Sequence, residues 1–142
     1  MSLLRALFSP APPRLPEPDA RLALAALLVR VARSDGHMSG DEAARIDRVL
    51  MQRHGLDATG AAYLRTEAAA IEAEAPDTVR FTRALKYAVP LEDRAALVEA
   101  LWAVALADGR RDDDEDRMLR LVTNLLGLTD VESALARQRA MK

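Results

Sequence analysis

Two short segments of this 142-residue chain carry carboxylates at the same spacing. Asp35 stands before Gly36, and Glu42 follows that Asp by seven residues; Asp108 stands before Gly109, and Glu115 follows by the same interval. Such residues can do two things. They can end one helix and begin another: Gly36 and Gly109 suit the left-handed conformation that closes a helix, and Ser39 with Glu42 fits a capping box, which Asp112 with Glu115 repeats with Asp as the cap. They can also supply oxygen ligands, the donor set a hard ion such as Ca²⁺ or Mg²⁺ prefers. Capping accounts for every member of the pattern except the Asp before each Gly. If the two turns lie side by side, Asp35, Glu42, Asp108 and Glu115 converge on one divalent cation; if they lie apart, they are two separate helix junctions. The turns are not EF-hands, because the Asp-x-Asp-x-Asp-Gly series and its twelfth-position Glu are missing. The second turn is the more acidic, with Asp108, Asp112, Asp113, Asp114, Glu115 and Asp116 close together and Arg110, Arg111 and Arg117 as local counter-charges.

Other chemistries find little here. The chain has no Cys, which removes disulfides, thiolate metal sites and cysteine nucleophiles. Its two histidines, His37 and His54, are too few for a zinc set; His37 reads as an exposed turn residue, and His54 as a neighbour of helix-end carbonyls. Neither a Gly-x-Ser-x-Gly elbow nor a glycine-rich phosphate loop occurs, so the expectation is a non-enzymatic protein without an organic cofactor. Twenty basic residues against 22 acidic, net −2, give no basic excess along the chain for nucleic acid. The longest uncharged apolar windows, Leu22–Val29 and Ala100–Ala107, are eight residues each. A membrane-spanning helix needs about 20, so no integral membrane segment is expected and the chain reads as cytoplasmic.

The elements that must position the acids are helices. With 28 Ala and 22 Leu against 17 Val, Ile and Thr together, composition favours helix over sheet. Residues 1–18, a short apolar stretch and a proline-rich arm, precede a compact domain from 19 to 142; Trp102 reads as part of its core. The 3- and 4-residue recurrence of apolar positions predicts about seven helices. The first, from Asp19, and the fifth, over Leu91–Ala107, are apolar nearly all round and so belong at the centre. The second ends at Gly55, Asp57 caps the third, Asp77 the fourth, and the last starts at Asp130.

The chain also repeats itself. A shift of 73 positions lays Arg21 on Arg94, Leu24 on Leu97, Leu28 on Leu101, Val31 on Val104, Ile46 on Leu119 and Val49 on Val122; one deletion then aligns Gly55-Leu56 with Gly127-Leu128. The implied fold class is all-α: a single bundle built on a duplicated helical hairpin, each copy being helix, Asp-Gly turn and helix.

The twin Asp-Gly-x-x-x-x-x-Glu pattern, Asp35–Glu42 and Asp108–Glu115, each following an apolar helix, resembles the tellurite-resistance TerB-like family over about Asp19 to Asp130. Two residues after the Gly that family usually places an apolar residue; Met38 matches and Arg111 departs. The resemblance implies an all-α, non-enzymatic bacterial module of tellurite-resistance and stress-response clusters, related to a domain of a membrane-anchored DnaJ-type co-chaperone. It also implies a divalent-cation site at Asp35, Glu42, Asp108 and Glu115; the function expected is binding of a divalent cation, of a protein partner, or of both through the acidic turns. The alternative function is a metal-free, co-chaperone-like interaction domain that takes its partner in an apolar groove.

Overall fold

A computed structural model describes residues 17–34, 36–74, 78–107 and 113–141. Within them the chain forms seven α-helices and no strand: α1 (Glu17–Ala32), α2 (Gly40–His54), α3 (Ala58–Glu74), α4 (Val79–Ala88), α5 (Arg94–Ala105), α6 (Asp113–Leu125) and α7 (Asp130–Ala140), with a 3₁₀ turn at Leu91–Asp93. The all-α expectation holds. Pro18, assigned from sequence to the extended arm, instead lies in the first turn of α1, where a missing N–H costs nothing because no intrahelical acceptor awaits it. The fifth helix is shorter than its apolar run. After Pro90 the chain first closes a tight i→i+3 turn, Asp93 N–H donating to the Pro90 carbonyl at 2.9 Å, and α-helix begins only at Arg94.

The two all-round apolar helices are central. α1 packs against α2, α3, α4, α5 and α6, and α5 against α1, α2, α6 and α7. Leu24, Leu27, Leu28, Val29 and Val31 of α1 are buried, as are Leu97, Val98, Leu101 and Val104 of α5. The repeat is legible in this burial: Leu28 and Leu101, Val31 and Val104, Ile46 and Leu119 all have no exposed surface. The first helices of the two copies pack on each other, and each second helix packs on both of those central helices.

Helix ends follow sequence cues. Gly55 closes α2 at φ +66° and Gly127 follows α6 at φ +85°, a backbone that glycine adopts without a Cβ clash. Asp57 Oδ1 accepts from Gly60 N–H at 2.7 Å at the start of α3. The Asp77 cap lies outside the described residues; α4 begins directly after Thr78. A second capping box, Thr129 with Glu132, opens α7; the Thr-x-x-Glu spacing that signals it stands in the sequence beside the Asp130 start.

Polar side chains tie the helices together. Arg30 of α1 donates to Glu72 of α3 at 3.2 Å through Nε, to the Glu72 carbonyl at 3.1 Å and to Thr78 at 3.3 Å, and its guanidinium lies 5.4 Å from the Phe81 ring centre. Arg65 of α3 takes both oxygens of Asp47 on α2, at 2.6 and 3.3 Å. Trp102 is buried, as expected, and its indole N–H donates to Ser133 of α7 at 3.1 Å. Arg94 reaches three helix-end carbonyls, those of Lys86, Val89 and Leu126.

Candidate functional site

The first junction is built as the sequence indicates. α1 runs out at Ala32, Gly36 N–H donates to the Arg33 carbonyl at 2.9 Å, and Gly36 takes φ +109°. Met38 packs, partly buried, against the core. Ser39 Oγ then accepts the Glu42 N–H at 3.1 Å, and Glu42 Oε1 accepts the Ser39 N–H at 3.0 Å, closing the capping box that starts α2.

Capping, however, accounts for one carboxyl oxygen and not the other. Glu42 is only 2% exposed, and its Oε2 is buried without a hydrogen-bond partner among the described residues. A capping-box Glu normally lies on the surface, where water satisfies the second oxygen. Leaving such an acceptor unmet in the interior costs about 1–3 kcal/mol, so native proteins rarely tolerate one without a reason.

At the equivalent position of the second copy, Glu115 is 4% exposed, while its neighbours Asp113 and Asp114 in the first turn of α6 are exposed. The duplication therefore preserves a buried Glu, not merely an acidic first turn. Arg117 stands 3.8 Å from Asp114, an exposed pair of little energetic weight. That a first-turn Glu is pulled into the interior at both junctions was not readable from spacing alone. The signal that could have found it is phase: Glu42 stands four residues before Ile46 and Glu115 four before Leu119, so each lies on the apolar stripe of its own helix.

Of the four sequence-predicted ligands, the structure thus places Glu42 and Glu115, each buried at the start of the second helix of its hairpin. Asp35 and Asp108 lie outside the described residues. Among the described residues no group of three or more His, Asp or Glu side chains gathers in metal-binding geometry.

The histidines stand apart from these carboxylates. His37 is exposed, as expected of a turn residue. His54, the last residue of α2, differs from its expectation: its Nε2 is buried with no hydrogen-bond partner, so that nitrogen serves no helix-end carbonyl. Burial first, then the positive charges of Arg21 and Arg53, push its pKa below 6.5. No described helix is long and apolar enough to cross a membrane.

Compared with known proteins, the chain matches a family model described as tellurite resistance protein TerB over residues 21–138, which takes in both junctions and the helices around them. No curated protein and no solved structure matches it.

Proposed function

This chain belongs to the TerB family of tellurite resistance proteins, and from that premise we propose that it is a non-enzymatic stress-response module whose paired acidic junctions bind a divalent cation, a protein partner, or both. The observation that carries the reading is the orphaned Oε2 of Glu42, together with the matching burial of Glu115. An acceptor held in the interior without a donor is what a cation-binding oxygen looks like before its ion is considered. Oxygen-only ligands without Cys or clustered His favour Ca²⁺ or Mg²⁺ over zinc.

In this reading Glu42 and Glu115 supply the interior oxygens, and Asp35 and Asp108, one residue before each turn glycine, supply the rest. A bound divalent ion would supply positive charge against the repulsion among these carboxylates. The chain's own residues do the positioning: Ser39 fixes Glu42 through Oε1 and leaves Oε2 for the ligand. A partner that reads the acidic turns would then bind more tightly with the ion in place.

Thermal unfolding and calorimetry with Ca²⁺ and Mg²⁺ test this on the full chain. At a free-ion concentration a hundredfold above Kd, the wild type should gain about 2.7 kcal/mol of stability. Glu42→Gln and Glu115→Gln should remove the ion-dependent gain while retaining helical content. Absence of both heat and stabilisation at millimolar ion would leave two helix junctions without a ligand and favour the metal-free interaction domain.

A further inference from the structure

A second feature of the surface was invisible in the linear charge count. α2 and α7 both pack on α5, but not extensively on each other, and a groove of about 550 Å³ runs between them. Its floor is small and apolar: Val49 from α2, Ala96, Ala100 and Ala103 from α5, and Ala140 from α7. Its walls carry Arg45, Arg48 and Arg53 from α2 and Arg139 from α7. The one acid lining it among the described residues, Glu99, is already held by Arg139 at 3.2 Å.

The charges on the α2 wall have no ion-pair partner among the described residues. Among the described residues, Arg45, Arg48 and Arg53 have no ion pair and no side-chain hydrogen bond, in contrast to Arg30, Arg65 and Arg94, which are all engaged. Asp47, between them in sequence, is drawn away to Arg65 on α3. A protein with a net charge of −2 thus concentrates, along one side of one groove, three guanidiniums that are unpaired among the described residues.

We propose that this groove docks a helical segment of a partner protein that presents a small apolar face between acidic flanks. Alanines at i, i+4 and i+7 of α5 form a continuous strip of one helix face, and their size lets another helix backbone come close. Guanidiniums are weakly hydrated and pair bidentately with carboxylates, so acidic flanks find partners on the α2 wall. A nucleic acid is the poorer fit. Among the described residues the groove walls offer no aromatic ring for base stacking, and the floor would bury apolar surface against phosphate. Neither Glu42 nor Glu115 lines the groove, so this inference stands or falls separately from the cation reading.

The test uses the full chain and a synthetic, end-capped helix of about four turns, with alanine and leucine on one face and glutamate on both flanks. Amide NMR shifts should move at Val49, Gln52, Ala100, Ala103 and Ala140. The triple change Arg45→Gln, Arg48→Gln, Arg53→Gln should weaken binding at least about tenfold. Because these arginines hold no other group among the described residues, the variant should keep its helical circular dichroism, and affinity should fall with added salt. Four results would overturn the proposal: no binding at millimolar peptide; shifts centred elsewhere, such as Val131 and Leu135; undiminished affinity in the triple variant; or tighter binding of a single-stranded oligonucleotide of equal charge.

Discussion

Single side chains decide how each junction is built. Ser39 and Thr129 make the same reciprocal bonds to Glu42 and Glu132, yet the two glutamates differ, for Glu132 is exposed and Glu42 is buried. Ser39→Ala and Thr129→Ala should each cost about 1 kcal/mol in urea unfolding. The two should part company in the presence of ion. Loss of the Ser39 hydroxyl leaves the Glu42 N–H without its acceptor and loosens the first turn that carries the Glu42 carboxylate, so the cation-dependent stabilisation should weaken in Ser39→Ala and persist in Thr129→Ala. Equal ion responses in the two variants would detach Ser39 from the cation site.

At the scale of the element, the helices depend on their core faces and their ends. Leu28 and Leu101 occupy matched places in α1 and α5 and are fully buried. Truncating either to Ala should cost about 2–5 kcal/mol, with both values alike if the repeat governs energetics as it governs burial. The end of α2 carries a pH dependence. His54 has its pKa lowered in the fold by burial, Arg21 and Arg53. As pH falls through 6.5 the unfolded chain takes up the proton before the folded one does. Stability should therefore decline from pH 6.5 down to the folded pKa, and level off below it. His54→Gln removes the titrating group, so its stability should change less with pH across that window. A variant that tracks the wild-type curve would assign the acid sensitivity to other groups.

Across the whole molecule, the two hairpins share one core, and the unrepeated helices α3 and α4 are fastened to it by Arg30. That side chain is only 12% exposed and serves Glu72 and Thr78 at once. Arg30→Ala leaves Glu72 mostly buried and, among the described residues, facing only Arg33 at 3.5 Å. The loss should be about 2–4 kcal/mol, measured by chemical unfolding. Arg30→Lys should recover only part of it, because an ammonium cannot span the carboxylate, the carbonyl and the hydroxyl together. Charge is also sorted at this scale. Arginines unpaired among the described residues gather beside α5, while exposed acids Asp113 and Asp114 open α6.

Much of this was present in the order of residues. Helix is a local matter of period, caps and breakers, so Gly55, Asp57, Gly127 and the Ser39–Glu42 box could be placed from sequence. The duplication was equally plain, since a core that repeats must repeat its apolar phase, and Leu28 with Leu101 or Ile46 with Leu119 carry that phase openly. Pro90 is a partial exception. It marked a boundary but not the 3₁₀ turn at Leu91–Asp93 that delays α5, because three residues do not by themselves choose between i→i+3 and i→i+4 closure. Tertiary structure alone decided which polar atoms lost their water. Glu42 and Asp41 are neighbouring acids in one first turn; phase puts Glu42 on the stripe of Ile46, but the depth of the bundle at that point decides that its carboxylate loses its water while Asp41 stays in solvent. The same holds for Arg45 and Arg65. Both are arginines on helices, but among the described residues one is paired and the other is not, because pairing depends on which helix lies opposite, and that is settled by the packing of the whole chain.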